Sequence, residues 1–318
     1  MILTVTPNPS LDRTYEVPAL ARGDVLRATG DRVDPGGKGV NVSRAVAAAG
    51  HRTTAVLPLG GAPGTLLAEL LVAQGVDVTA VSISGQTRSN ISLIEPDGTL
   101  TKVNAPGPEL TPTESALLLD TVRGCSGGAE WIACCGSLPR GLEPQWYADL
   151  VARAREGGAR VALDTSGPAL LAALPARPDV VKPNACELAA AAGRPLATLG
   201  DVLDAAQELR SRGAGAVLAS LGADGQLLVE GEGIHYGTAR VPADRLRSNV
   251  GAGDAALAGF LAAGGAGPAA LASALAHGAA AVRLPGSVMP SPADLDPDAV
   301  RTTQDPPLDL PLSEPATP

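Results

Sequence analysis

The segment with the clearest chemical potential is SNVGAGD at residues 248–254, which precedes a helix of small residues at 255–263. Glycines let the backbone approach a ligand, and the free N–H groups at the start of a helix attract an anion such as a transferring phosphoryl group. Asp254 would repel that anion unless it takes the proton from an attacking hydroxyl, as a general base does. The alternative is an ordinary first-turn acid that interacts with the helix dipole.

A second glycine-rich turn, DPGGKGVN at residues 34–41, also precedes a predicted helix. Its glycines would admit a sugar, Asn41 can donate to and accept from a pair of hydroxyls, and Lys38 suits a phosphate. A solvated lysine in an ordinary strand-to-helix turn is the alternative. The GxxxxGK(S/T) spacing of a P-loop does not occur in the chain, so any phosphate site is built differently.

Polar residues follow three predicted strands, at positions where an open α/β sheet binds its ligands. Each alone is also a common turn or cap residue, but together they are consistent with one shared site. Glu187 fits either a water-mediated magnesium contact or the first turn of a helix. The strand-end residues are Asn8, Asp12, Ser137, Lys182 and Asn184.

One motif is rejected on its context. GCSGG at residues 124–128 matches the GxSxG elbow of serine hydrolases, but that elbow needs a strand before it and a helix after it. Here the predicted helix comes first and the predicted strand at 131–135 comes second. The three histidines have no catalytic or metal-binding spacing, which argues against a hydrolase.

Short apolar runs alternate along the chain with segments of helical periodicity. This alternation predicts an α/β fold with a doubly wound, mostly parallel sheet and helices on both faces. The predicted strands are 2–6, 53–57, 131–135, 161–163, 180–181 and 216–219. The predicted helices are 40–49, 65–73, 144–156, 201–212, 254–263 and 269–282.

Two insertions interrupt this alternation and predict a small separate sheet. Residues 13–17 pair with 27–33, and residues 90–95 pair with 100–104 through a Pro-Asp-Gly turn. We interpret these strands, inserted near 12–34 and 88–105, as a lid over a cleft. Residues 1–288 are then one domain, and the proline-rich residues 289–318 are expected to be a disordered tail.

Composition excludes several classes of partner. The 318-residue chain has a formal net charge of −9 and no run of Lys or Arg, which argues against nucleic acid. No apolar stretch reaches the roughly 18 residues of a spanning helix, and the N-terminus lacks a signal-peptide pattern. We expect a cytoplasmic protein with no membrane partner. The four cysteines form no CxxC pair, and Cys134 and Cys135 are expected to be buried.

Seven motifs follow one another along the chain: TPNPSLD at 6–12, GGKGVN at 36–41, TRSN at 87–90, GSLP at 136–139, KPN at 182–184 with Glu187, SLGADG at 220–225 and VGAGDA at 250–255. In this order they resemble the PfkB family of ribokinase-like carbohydrate kinases. The resemblance covers residues 1 to about 285. It is to the phosphosugar branch, which includes 1-phosphofructokinase, tagatose-6-phosphate kinase and the minor 6-phosphofructokinase.

The resemblance implies ATP as phosphoryl donor, Mg²⁺ as cofactor, and a β-sheet lid that also forms a homodimer contact. It implies that Asp254 is the base, with the amides of Gly251, Ala252 and Gly253 as an anion hole. The sugar would contact Asp12, Gly37, Asn41 and Ser137, and its phosphate would contact Lys38 and Arg88, with Arg27 from the lid of a partner subunit. The nucleotide would contact Lys182, Asn184, Ser220, Gly222, Ala223, Asp224 and Gly225, and Glu187 would organise Mg²⁺ through water.

The resemblance favours fructose 1-phosphate as substrate, with fructose 1,6-bisphosphate as product. GGKG resembles the 1-phosphofructokinase and tagatose-6-phosphate kinase pattern, whereas the minor 6-phosphofructokinase has glycine in place of Lys38. Because GPEL at 107–110 is similar to tagatose-6-phosphate kinases, tagatose 6-phosphate stays an alternative, as does fructose 6-phosphate. A nucleoside or ribose kinase would not need Lys38 and Arg88. A non-catalytic sugar-phosphate-binding regulator would not need the intact GAGD.

Two positions depart from the family pattern. Ala255 stands where such kinases often have serine after the base. AAAVRLPGS at 279–287 does not align with the family's adenine-site region, so the adenine contacts are left unassigned.

Overall fold

The computed structural model describes residues 1–231 and 233–317. Its strands are β1 (Ile2–Val5), β2 (Ser10–Glu16), β3 (Gly30–Gly36), β4 (Thr53–Leu59), β5 (Asp77–Ser82), β6 (Arg88–Ile94), β7 (Leu100–Val103), β8 (Trp131–Cys135), β9 (Arg160–Asp164), β10 (Val180–Val181), β11 (Leu196–Thr198), β12 (Ala216–Ser220), β13 (Gln226–Glu230), β14 (Gly233–Ala239), β15 (Val300–Thr303) and β16 (Pro311–Ala316). Its helices are α1 (Lys38–Ala48), α2 (Gly61–Ala73), α3 (Pro112–Cys125), α4 (Trp146–Arg155), α5 (Gly167–Ala173), α6 (Ala185–Ala192), α7 (Leu199–Ser211), α8 (Ala252–Ala262) and α9 (Gly267–Ala281).

The central sheet has the order β15-β14-β13-β12-β10-β9-β8-β1-β4-β5 within the described residues. The strands from β12 to β5 pair in parallel, and β13 to β15 extend one edge antiparallel. β1 lies between β4 and β8, so the chain builds the sheet outward from β1 in both directions. The predicted doubly wound, mostly parallel sheet is confirmed, and each of the six predicted strands is present.

The core has one layer on each face of this sheet, because successive side chains of a strand point to opposite faces. Leu3 packs in the layer formed with α3 to α7, and its neighbour Ile2 packs in the layer formed with α1, α8 and α9. The second layer contains many alanines, which lets α8 and α9 approach each other closely. Cys134 and Cys135 are buried in opposite layers, as their apolar run predicts.

The lid is a four-stranded sheet in the order β3-β2-β6-β7. β2 pairs antiparallel with β3 and parallel with β6. In this register Asp12 lies opposite both Asp34 and Asn90. The prediction of a small separate sheet from two insertions is confirmed. β2 begins earlier and β3 ends later than the predicted strands 13–17 and 27–33, so both extend closer to the central sheet.

The C-terminal segment differs from the disordered tail that its composition predicts. β15 pairs with β14 at the edge of the central sheet, and β16 pairs with β11. Leu312 and Ala316 are buried in the α3–α7 layer, and burial of a leucine side chain stabilises a fold by roughly 1.5–3 kcal/mol. These two apolar residues anchor β16 in the core. Because they are four residues apart among polar residues and prolines, they produce no recognisable hydrophobic periodicity in the sequence. Within the described residues, no helix combines the length and the apolar character needed to cross a membrane.

Candidate active site

The carboxyl ends of five adjacent parallel strands meet at one edge of the central sheet, in the order β12, β10, β9, β8 and β1. Ligands of open α/β sheets bind at this edge, at the point where the chain changes direction of winding. Here that point is β1, between β4 and β8. The residues at or just after the five strand ends are Ser220, Lys182, Asp164, Ser137 and Asn8.

Asp254 lies in the first turn of α8, above this edge. The turn begins at Gly251, whose φ of 78° is in the left-handed region that glycine adopts without strain. The Asp254 side chain is buried, and its Oδ2 accepts a hydrogen bond of 2.8 Å from Nδ2 of Asn41. Since Asn41 belongs to α1, this bond joins the two glycine-rich turns that the sequence identifies separately.

The environment of Asp254 changes its acidity. Burial raises the pKa of Asp254 to about 6, and the negative charge of Asp164 acts in the same direction. The bond from Asn41 and the ammonium groups of Lys182 and Lys38 oppose this rise. A carboxyl group with a pKa near 6 is ionised at neutral pH and can still accept a proton, which suits a general base. An ordinary first-turn acid would have a lowered pKa instead.

Asp164, at the end of β9, is a site residue that the sequence analysis misses. Its carboxylate is fully buried and contacts two ammonium groups, Lys38 Nζ at 2.6 Å and Lys182 Nζ at 2.9 Å. Burial acts to raise the pKa of Asp164, but the positive charges of Lys182 and Lys38 outweigh it and hold this pKa below its ordinary value. The available signal was its position directly after the predicted strand 161–163.

Lys38 lies on the predicted nucleotide side of the site, whereas its predicted partner Arg88 lies beside Asn8. The Lys38 ammonium contacts Glu187 Oε1 at 3.1 Å in addition to Asp164. Burial acts to lower the pKa of Lys38, but Asp164 and Glu187 together raise it, so Lys38 stays charged. Glu187 also accepts the backbone N–H of Asn184 at 2.9 Å in a capping box at the start of α6.

The predicted nucleotide residues fall into two groups. Asn184 and Ser220 are bridged in parallel, which brings the ends of β10 and β12 together. Gly222 and Ala223 are exposed in the loop that follows Ser220 and ends at Gly225. Asp224 is predicted to contact the nucleotide. In the structure its carboxylate accepts hydrogen bonds from the backbone N–H of Ser313 at 2.8 Å and from the Ser313 hydroxyl. The C-terminal segment therefore holds this loop in place.

The predicted sugar residues lie between the lid and the sheet. The Asp12 carboxylate accepts hydrogen bonds from Asn90 Nδ2 at 2.9 Å and from the Ser10 hydroxyl at 2.8 Å. Asp12 lines a cleft of about 480 Å³ between the lid and the segment that leads into α8. Gly37 is the N-cap of α1, next to Lys38.

Arg88 and Ser137 lie at the other side of the lid base. Arg88 donates from Nη1 to the Ala105 carbonyl at 2.8 Å and from Nη2 to the Asn8 carbonyl at 2.9 Å. Ser137 Oγ accepts a longer bond of 3.4 Å from Asn8 Nδ2. Arg27 is exposed in the connection between β2 and β3, and within the described residues no hydrogen bond or ion pair joins it to the other predicted site residues.

The first turn of α8 leaves room for an anion. A Cβ on Gly253 would lie 3.3 Å from Lys182 Nζ, so the absence of a side chain keeps the space between the turn and this ammonium open. The first N–H groups of a helix have no acceptor within the helix. An anion here would face those N–H groups and a buried cation, an environment that fits a phosphoryl group.

Comparisons with known proteins identify similar chains. A model of the family described as pfkB family carbohydrate kinase matches residues 6–294. A 1-phosphofructokinase of Rhodobacter capsulatus is 43% identical over 263 residues, 82% of each protein. The crystal structure of phosphofructokinase-2 from Escherichia coli in complex with substrates and products is similar with a TM-score of 0.85 and 35% identity, covering 92% of this chain and 96% of that one. Arabidopsis thaliana ribokinase complexed with ribose and ATP has the same fold, with a TM-score of 0.73 at 24% identity over 92% of this chain and 96% of that one.

Proposed function

Because the chain belongs to the pfkB family of carbohydrate kinases, we propose that it transfers a phosphoryl group from ATP to a free hydroxyl of fructose 1-phosphate, giving fructose 1,6-bisphosphate. The structural observation that carries this proposal is Asp254. It is a buried carboxylate with a raised pKa, held by Asn41 at the start of α8, next to a space that fits an anion. Identity to a 1-phosphofructokinase supports the choice of substrate.

In the proposed reaction, Asp254 takes the proton from the sugar hydroxyl as the hydroxyl oxygen attacks the γ-phosphorus of ATP. The bond between the γ-phosphorus and the oxygen that bridges it to the β-phosphorus breaks, and ADP leaves. The amides of Gly251, Ala252 and Gly253 stabilise the charge that develops on the transferring phosphoryl group. Lys182 and Lys38 add positive charge on the same side, and both are held there by Asp164. These groups are fixed before the substrate binds, so little reorganisation accompanies the reaction.

We assign the remaining predicted residues to binding. Asp12, Gly37, Asn41 and Ser137 contact the sugar, and Arg88 contacts its phosphate, with Arg27 from the lid of a partner subunit. Lys38 lies closer to the nucleotide side, so we propose that it serves the transferring phosphoryl group as well. The nucleotide is held by Lys182, Asn184, Ser220, Gly222, Ala223 and Gly225, with Asp224 fixing the loop through Ser313.

Magnesium is the expected companion of the nucleotide. The described residues hold no cluster of three or more His, Cys, Asp or Glu side chains placed to bind a metal. This fits an ion that arrives with the ATP phosphates and keeps most of its waters, as Mg²⁺ does. Glu187 would hold one of these waters, and the ion would supply charge neutralisation on the phosphates.

The lid offers a surface for a homodimer, which we propose as the assembly in the cytoplasm. Ile91 and Val103 are register partners in β6 and β7, so they share one face of the lid. They are 38% and 57% exposed, respectively. An exposed apolar pair on a small sheet is consistent with a partner lid packing against it.

The test of the proposed function is an assay of ADP release with ATP and Mg²⁺. Fructose 1-phosphate, tagatose 6-phosphate, fructose 6-phosphate and unphosphorylated fructose are compared by kcat/KM. We expect the highest value for fructose 1-phosphate. A preference for another phosphorylated ketohexose would keep the kinase and change the substrate, whereas turnover of unphosphorylated sugar alone would contradict the phosphosugar assignment. No ADP release with any sugar would favour a non-catalytic regulator.

The raised pKa of Asp254 predicts the pH dependence of the reaction. Since the base must be ionised, kcat/KM should fall about tenfold per pH unit below a midpoint near pH 6. An unperturbed aspartate, with a pKa of about 3.9, would leave activity unchanged down to about pH 5. The phosphate of the sugar also titrates near pH 6. Its titration is therefore measured by ³¹P NMR, and kcat/KM at each pH is divided by the fraction of sugar phosphate in the dianionic form. A corrected profile that is flat between pH 5 and 7 would remove Asp254 as the titrating base.

A further inference from the structure

A buried guanidinium lies directly behind the proposed base. Arg44 is three residues after Asn41 on α1 and is 6% exposed. It donates to Gln74 Oε1 at 2.7 Å, to Asn41 Oδ1 at 3.2 Å, to the Pro35 carbonyl at 3.3 Å and to Ser287 Oγ at 3.4 Å. None of these four acceptors is a carboxylate. Asp34 and Asp12 attract the guanidinium, but within the described residues neither forms a hydrogen bond or ion pair with it. Burying a charge against neutral acceptors is unfavourable for folding alone, which suggests that the position of Arg44 serves another purpose.

The contact between Arg44 and Asn41 reinforces the orientation in which the NH₂ end of the Asn41 amide faces Asp254. A guanidinium can only donate hydrogen bonds, so the end of the amide next to Arg44 must be the oxygen. The NH₂ end then points to Asp254, where it donates to Oδ2 at 2.8 Å. The ionised Asp254 carboxylate, which can only accept, favours the same orientation, so Arg44 holds from the oxygen end the amide that Asp254 holds from the NH₂ end. Arg44, Asn41 and Asp254 thus form a directed chain of hydrogen bonds from the interior to the reacting edge.

We propose that Arg44 is a positioning residue for the phosphoryl transfer, acting through Asn41 to hold the Asp254 carboxylate in its ionised, aligned state. The proposal rests on the proposed function, because it takes Asp254 as the base. Arg44 contacts Asn41 at the opposite end of the amide from Asp254, and none of its four hydrogen bonds goes to Asp254 itself. Its contacts reach α1, α2, β3 and the loop after α9, so the chain is anchored to several elements at once.

The charges around Asp254 support this role. Asp254 is faced by Asp164 from β9, by Lys182 after β10, by Lys38 and Arg44 from α1, and by the Cys135 thiol from β8. Asp164 raises the pKa of Asp254, whereas Asn41, Lys182 and Lys38 lower it. Arg44 is attracted by Asp34 and Asp12 from the lid, is repelled by Arg32, and is attracted less strongly by Asp254. Loss of Arg44 removes one positive charge and loosens the Asn41 bond, and both changes favour the protonated form of the base.

The test compares three variants at this position: Arg44→Met has neither donor nor charge, Arg44→Gln keeps a donor, and Arg44→Lys keeps a donor and the charge. For Arg44→Met we expect kcat to fall by on the order of 10- to 100-fold, with a smaller change in the KM for the sugar phosphate. We also expect the acidic limb, which is the fall of kcat/KM at low pH, to move to higher pH. Arg44→Lys should recover most of both quantities, and Arg44→Gln should lie between them.

The matched control is Gln74→Leu, which removes the acceptor at the far side of Arg44 and leaves the Asn41 contact. It should lower the melting temperature and change kcat and the acidic limb much less than Arg44→Met does. If Arg44→Met lowers only the melting temperature, Arg44 is a structural residue and the proposal is overturned. If Arg44→Met does not fold, Arg44→Gln and Arg44→Lys are compared instead. The proposal is overturned equally if both of these variants have the kcat and the acidic limb of the wild type.

The two proposals fail in different ways. If the wild-type protein transfers no phosphoryl group to any sugar, the proposed function is wrong. If the wild-type protein is active and the Arg44 variants match its kcat and its acidic limb, only the role of Arg44 is wrong.

Discussion

Asp254→Asn is expected to lower kcat by on the order of 10³-fold, within the usual range for loss of a general base. The variant keeps the shape of the side chain and its acceptor oxygen for Asn41, but it cannot take a proton from the sugar hydroxyl. The affinity for fructose 1-phosphate, measured by isothermal titration calorimetry, should change little. The loss would therefore lie in the chemical step, as kcat measured at saturating substrate would show.

The stability of the same variant distinguishes lost chemistry from lost structure. The folded-state pKa of Asp254 is raised to about 6, so ionising the buried carboxylate lowers stability, and this cost grows between about pH 4 and pH 6 and is fully present above pH 6. A neutral asparagine removes this cost, and the melting temperature at pH 7 should be equal to that of the wild type or higher. Retention of most of the wild-type kcat would show that Asp254 is not the base.

Asp201→Asn is a matched control for this experiment. Asp201 is also a first-turn acid of a helix, and it accepts the backbone N–H groups of Ala197 and Thr198 at 2.9 Å each. These bonds lower the pKa of Asp201, the opposite of the shift at Asp254. Its replacement should lower the melting temperature slightly and leave kcat unchanged. A comparable loss of kcat at both positions would indicate a general effect on folding.

The sequence could predict the parts of the site that are carried by continuous segments. Gly251 and Asp254 lie within one motif, and the constraints on them are local. Gly251 adopts the left-handed conformation at the N-cap, and Asp254 is a short acid in the first turn of the helix. The lid was predictable because its paired strands interrupt the strand–helix alternation. The antiparallel β13 and β14 were not predicted as strands, and their pairing at the edge of the central sheet was therefore missed.

The parts that the sequence did not predict depend on contacts between distant segments. Asp164 is one carboxylate after one strand, and its role exists only because the fold brings Lys38 and Lys182 to it from 126 and 18 residues away. Arg44 looks like an ordinary helix surface residue until α2 and the loop after α9 cover it. Ser313 contacts Asp224 because β16 pairs with β11, and the composition of the tail gives no sign of this pairing.

Asp164→Ala is expected to lower the free energy of unfolding by about 3–5 kcal/mol, because it leaves a buried ammonium without its carboxylate. Lys182 is 5% exposed and cannot reach water, whereas the Lys38 side chain is 35% exposed and keeps its contact with Glu187. The destabilisation should therefore come mainly from Lys182. Urea denaturation measures it. The control is Glu130→Ala, whose side chain is 59% exposed in its pair with Arg160. This variant should lose less than about 1 kcal/mol.

A double variant separates the unpaired charge from the lost side-chain volume. Asp164→Leu combined with Lys182→Met replaces the buried pair with apolar side chains, and such replacements are often neutral or stabilising. We expect the double variant to recover most of the stability lost in Asp164→Ala. Phosphoryl transfer should still be strongly reduced, since Lys182 no longer faces the first turn of α8. A double variant as unstable as the single one would mean that packing, not charge, determines the loss. A double variant that is stable but does not turn over substrate would show that the fold does not need this ion pair for stability. The ion pair would then be retained for catalysis.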